Sequence, residues 1–203
     1  MIRIWRRAPD LGRAGQSLVE FALVLPIFVM VIIAFIEFAF AFSTQNSLSF
    51  AARDLALYGA EAGNQAGSDC SALTLLEREL GSSTKPSGIA SVLIYWSDRN
   101  GAILNGAANQ YDRGGTLTCT DLGGVSRSLP YTVVASTYPE ASRCTVLRGC
   151  PSPPAAINHP SIDTVGVRIT YAYHWRTPLA ELLGITGPST FTATQQMRLE
   201  PVL

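Results

Sequence analysis

The chain has no excess of charge of either sign: 15 Lys and Arg are matched by 15 Asp and Glu over 203 residues. A basic surface for nucleic acid is therefore excluded, and no nucleic-acid partner is expected. Charge is scarce altogether, at 15% of the residues, where a quarter is usual. Histidine is nearly missing, with His159 and His174 the two present. The sequence has no Gly-x-Ser-x-Gly elbow, no phosphate loop and no His-Glu-x-x-His pair. Without them the motif-borne routes to acyl transfer, nucleotide chemistry and zinc hydrolysis fall away. No catalytic residue, no metal and no cofactor is expected, and the chain reads as a non-enzyme. Gly114-Gly115 and Gly123-Gly124 read as turns, not nucleotide cradles. The 47% apolar content excludes a disordered polymer, which needs few apolar residues and high net charge.

Much of the charge deficit sits in one run. Leu18 to Phe42, LVEFALVLPIFVMVIIAFIEFAFAF, holds 25 residues and two charges, Glu20 and Glu37. A spanning helix needs roughly 20 predominantly apolar residues. The uncharged stretch Phe21 to Ile36 has 16 residues. At about 1.5 Å per residue it is roughly 24 Å long, shorter than a hydrocarbon core of about 30 Å. Glu20 and Glu37 are therefore expected near the two edges of the hydrocarbon. Pro26 lies inside the run, removes one helix hydrogen bond and is expected to kink the helix. Arg3, Arg6, Arg7 and Arg13 precede the run, against Asp10. The positive-inside rule then puts the amino terminus in the cytoplasm and the rest outside. The sequence thus divides into a basic leader (1–15), a transmembrane helix (16–43) and an extracytoplasmic head (44–203), in the inner (cytoplasmic) membrane. A cleaved secretory signal, with Ala39-Phe40-Ala41 as its cleavage site, is the competing reading. The run is far longer than the 7–15 residues, roughly, of a signal's apolar region.

The string Gly15-Gln16-Ser17-Leu18-Val19-Glu20-Phe21 closes the basic leader and opens the apolar helix. Cleavage after Gly15 would free an amine on Gln16. Glu20, a turn and a bit further on, could pair with such an amine in its own chain or a neighbour's. Inside a helix bundle that pairing fixes axial register, because an unpaired buried charge is costly. The string resembles the processing site of type IV pilins, in the short-leader form of Flp-type pili. Over Gly15 to Phe42 the sequence is similar to the TadE-like family of minor pilins and pseudopilins of the tight-adherence (Tad) system. The resemblance is carried by Gly15, Gln16, Ser17, Val19, Glu20, Phe21, Ala22, Leu23, Pro26, Glu37 and Phe38. Ser49 to Arg53 resembles the family's Ala-Ala-Arg step, and Val165 to Pro201 its last two strands. Ala39-Phe40 and Asp54 to Leu57 depart from the pattern. The resemblance implies prepilin peptidase cleavage between Gly15 and Gln16. It also implies assembly contacts at Glu20 and Phe21, and as partners the membrane lipid, other pilins and the Tad assembly platform. The alternative is an anchored binding or sensing module outside any pilus, which leaves the Gly15 to Phe21 string unexplained.

The head reads as α+β. Leu48, Ala51, Ala52, Leu55 and Ala56 share one face at helical spacing, so the membrane helix is expected to run on to about Gly63. Ala72 to Leu80 suits a short second helix. Ile89 to Trp96, Tyr131 to Ser136, Thr164 to Trp175 and Phe191 to Leu199 read as strands. The last two are expected to pair antiparallel across a connector with a helical turn at Leu179 to Leu183. Gly101 to Gly124 and Arg143 to Pro160 read as loops. Tyr95, Trp96, Tyr171, Tyr173 and Trp175 are expected in the sheet core. Four cysteines allow three disulfide pairings. Cys144 with Cys150, across a short loop containing Gly149, and Cys70 with Cys119, across a long one, are favoured. A zinc site on Cys144, Cys150 and His159 lacks the usual spacing.

Overall fold

The computed structural model describes residues 11–80, 84–146, 149–150, 161–182 and 184–199. The leader residues Arg3, Arg6 and Arg7 and the zinc candidate His159 lie outside them. The architecture is α+β, a long apolar helix followed by a five-stranded antiparallel sheet. Helix α1 runs over Leu11–Ala62, 52 residues with Pro26 inside it. It starts before Gly15, so the last residues of the expected leader are already helical. Helix α2 is Ser68–Glu79, and strand β1 is Ile89–Ser97. Strands β2 (Ile103–Thr120) and β3 (Ser126–Ser136) follow, then β4 (Thr164–Tyr173), the single turn α3 (Leu179–Leu182) and β5 (Ser189–Arg198). The order across the sheet is β3-β2-β1-β4-β5. Two compact units result. One takes α1 up to Ala39 together with Trp175–Thr186, and the other takes Phe40–His174 together with the chain from Gly187 on.

In the second unit the apolar stripe of α1 is core. Leu48, Ala52 and Leu55 are fully buried, and Ala51 and Ala56 nearly so. Burying each leucine side chain contributes about 1.5–3 kcal/mol. A Cβ on Gly59 would stand 3.6 Å from Val165 Cγ1, which places the stripe against one face of β4. That face is the alternating set Val165, Val167, Ile169, Tyr171 and Tyr173, all buried. Gln45 donates to the Thr192 carbonyl of β5 at 3.2 Å. On the other face Gly166 leaves room for the Tyr95 ring, and the Arg168 guanidinium stands 5.6 Å from that ring's centroid.

The stretch expected as a loop from Gly101 to Gly124 is mostly β2, the longest strand. Its glycines and asparagines hide it, but pairing with β1 on one side and β3 on the other satisfies its backbone. Gly114 and Gly115 are not a turn. They lie where the β2–β3 register slips between Arg113 and Leu117. Gly114 has φ 117°, and any Cβ on Gly115 would collide with Thr132. The turn between the strands is made by Asp121 and Gly124, with the Asp121 carboxylate accepting from Val125 N at 2.8 Å. The connector's helical turn is present over Leu179–Leu182, and the expected last residue, Leu183, lies outside the described residues.

A buried polar network ties α2 to the sheet, and nothing in the sequence patterning announces it. Arg143 is 0% exposed and its Nη2 donates to both Asp69 oxygens, at 2.7 and 2.8 Å. Asp69 Oδ2 also accepts from Asn109 Nδ2 at 2.8 Å and from the Tyr111 hydroxyl at 2.9 Å. Asn109 exchanges bonds with the Tyr138 backbone, and the Tyr138 hydroxyl donates to Asp163 at 2.8 Å. Glu140 caps α2 from outside, accepting from Gly67 N at 2.7 Å and Asp69 N at 2.6 Å. Burial works against the charge on Arg143, but Asp69, Tyr138 and Glu140 together outweigh burial and its proton is held more tightly than usual.

Burial, followed by the Asp69 carboxylate, holds the Tyr111 hydroxyl well above the usual tyrosine range. Burial and the Glu77 hydrogen bond do the same for Tyr131, and burial and Asp163 for Tyr138. These groups keep their protons in the folded chain, whereas unfolded tyrosines ionise near 10.0. The folded pKa values are raised, so their contribution is complete below pH 10 and is lost as pH rises above it. An alkaline absorbance titration should show that at least three of the seven tyrosines ionise only on unfolding. Seven tyrosines titrating reversibly near their ordinary value would contradict this.

Candidate functional site

The first unit holds the residues singled out for assembly. Gly15 and Gln16 sit within α1, one turn before Glu20. Gln16 Nε2 donates to Glu20 Oε1 at 3.1 Å on the exposed helix surface, so the uncleaved chain already turns a donor toward this carboxylate. A glycine in a helix interior costs about 1 kcal/mol relative to alanine, which makes Gly15 a weak point in the first turns. Phe21 is exposed beside Glu20.

Every residue from Gln16 to Ile32 is exposed, and nearly all of them from Leu18 onward are apolar. Leu18, Val19, Phe21, Leu23 and Val24, all exposed, surround the axis instead of forming one stripe. A helix apolar all round and uncovered by its own chain needs an apolar environment from outside. By length and composition α1 is long and apolar enough to cross a membrane, and it fits a single-pass anchor.

Glu37 behaves differently from Glu20. It is 2% exposed, within a helix whose Phe35 and Phe38 are exposed. Its carboxylate accepts from Arg176 N at 3.1 and 3.2 Å and from Thr177 N at 2.8 Å. Both donors come from the connector between β4 and β5. Backbone amides are the groups that sequence patterning does not flag, because every residue but proline carries one. Glu37→Ala should leave these amides without an acceptor, at a cost of about 1–3 kcal/mol. Amide exchange at Arg176 and Thr177 should then speed up by about tenfold or more, and Glu37→Gln, which keeps one acceptor oxygen, should do less. Unchanged exchange in Glu37→Ala would rule out the contact.

The cysteines lie in the second unit. Cys70 on α2 is bonded to Cys119 near the end of β2, and Cys144 to Cys150. The first bond staples α2 to the ribbon that β2 and β3 form. The Thr145–Gly149 bridge closes the loop of the second. Among the described residues no group of three or more His, Cys, Asp or Glu is placed to hold a metal. Tyr95, Trp96, Tyr171 and Tyr173 are buried in the sheet as expected, while Trp175 belongs to the first unit and is half-buried.

A family model described as TadE-like protein matches residues 15–57. The match begins at Gly15, takes in Glu20, Pro26 and Glu37, and ends in the buried stripe of α1. It does not extend to Val165 to Pro201, where a resemblance to that family is also expected. No curated protein and no solved structure matches the chain.

Proposed function

We propose that this chain, TadE-like over residues 15–57, is a membrane-anchored minor pilin or pseudopilin of a Tad (Flp-type) pilus. It is cleaved by a prepilin peptidase after Gly15 and waits in the inner membrane with its amino terminus inside and its head outside. It then packs α1 against the helices of other pilins during initiation or assembly. The observation that carries this reading is one constellation. Gly15, Gln16 and Glu20 stand in α1 where its exposed, largely apolar stretch from Leu18 to Ile32 begins. Such a helix can pass from lipid to a bundle of like helices without changing its own surface. Cleavage would place a cationic amine one turn from Glu20, and a neighbour's amine or its own then becomes the carboxylate's partner.

The head requires no chemistry of its own in this role. Its two disulfides suit an oxidising exterior. A deletion strain tests the role directly. Loss of surface fibres and of adhesion, restored by the full-length chain, is expected. Normal fibres and normal adhesion would favour an anchored binding or sensing module instead.

A further inference from the structure

We infer that the connector between β4 and β5, Trp175–Thr186, is a second lipid-contacting element, seated in the phospholipid headgroup layer beside α1. The inference rests on the membrane-anchor reading of α1 and goes beyond it, since it concerns a segment some 140 residues away in sequence.

Three observations converge. The first is level. Glu37 follows Glu20 by 17 residues. At about 1.5 Å per residue the two carboxylates are roughly 26 Å apart along the axis, near the thickness of the hydrocarbon. With Glu20 at one edge, Glu37 is at the other, and Phe35, Ile36 and Phe38 are exposed around it. Thr177 N lies 2.8 Å from the Glu37 carboxylate, so the connector is at that same edge. A carboxylate there is expensive unless satisfied, and the connector's amides satisfy it.

The second is composition. Trp175 to Thr186 reads WRTPLAELLGIT, with Arg176 and Glu181 its two charges. A tryptophan opens it, as at membrane–water interfaces. Ile185 is exposed, so part of this apolar content is not spent on the protein's own core. The third is the backbone. Near lipid each peptide group needs an internal partner. The turn Leu179–Leu182 closes on itself, with Gly184 N donating to the Glu181 carbonyl at 3.1 Å and Ile185 N to the Ala180 carbonyl at 2.8 Å.

The test uses the full-length chain in vesicles of phosphatidylethanolamine and phosphatidylglycerol. They are doped with a phospholipid carrying a carbene precursor at the top of its acyl chain. After illumination, reduction and trypsin, three peptides decide: Ala14–Arg53 from α1, Thr177–Arg198 with the connector, and Ser128–Arg143 from the head. Lipid adducts are expected on Ala14–Arg53. They are also expected on Thr177–Arg198 at about threefold or more over Ser128–Arg143, with fragment ions placing them between Thr177 and Thr186. Adducts on Ala14–Arg53, with Thr177–Arg198 no higher than Ser128–Arg143 or labelled only beyond Thr186, would overturn the inference and leave the anchor standing. Absence of adducts on Ala14–Arg53 would overturn the anchor and the inference together.

Discussion

If the chain is the pilin proposed, Glu20→Ala should leave processing after Gly15 intact and remove the chain from surface fibres by at least about tenfold, because an uncompensated charge within a helix bundle costs about 3–5 kcal/mol. In the proposed anchor Glu20 would stand at the membrane rim, where Gln16 can serve it, at 3.1 Å. In a bundle the same residues leave the headgroup layer, and the amine created by cleavage needs an anion nearby. Alanine supplies none. Glu20→Gln should behave almost as badly, since an amide cannot neutralise an ammonium group. Fractionating membranes and sheared fibres and probing both for the chain measures the ratio. Wild-type levels of Glu20→Ala in fibres would show that the carboxylate has no part in assembly.

Arg143→Ala should unfold the head more readily than any surface change. Arg143 is fully buried against Asp69, and removing one member of a buried pair typically costs about 3–5 kcal/mol. The loss spreads because Asp69 is shared. Its oxygens also hold Asn109 and Tyr111, and Arg143 stacks on the Tyr138 ring, 4.8 Å from its centroid. For a chain of this size each kcal/mol moves the melting temperature by about 2–4 °C, so a drop on the order of 10 °C is expected. Calorimetry on the detergent-solubilised chain reads it. Replacing Asp69 and Arg143 together by leucine and methionine should recover part of the loss, because no lone charge then stays buried. A melting point for Arg143→Ala within a degree or two of wild type would mean that the pair carries little of the fold's stability.

What the sequence made legible follows from which forces leave periodic traces. The run from Leu18 to Phe42 and the stripe from Leu48 to Ala56 are one-dimensional patterns, and the helix they predict spans Leu11–Ala62. The alternation in β4 predicted its buried face residue by residue. Strand β2 left no such trace: Asn105, Gly106, Gly114 and Gly115 disfavour a strand, and pairing on both sides overrides them. The Asp69 network joins positions 69, 109, 138, 143 and 163, which no local spacing links. At the candidate site, Gly15, Gln16 and Glu20 were readable because they are close in sequence. The partners of Glu37 were not, because they are backbone amides 139 and 140 residues away.

The amino terminus of the chain as it exists in cells bears most directly on the proposed role. Intact-mass spectrometry of the protein from membranes and from sheared surface fibres locates it. The expected result is a chain in the fibres that begins at Gln16, as free amine or pyroglutamate. A chain that begins at Met1 in both fractions, or near Phe42, would contradict prepilin-type processing and with it the role given to Glu20.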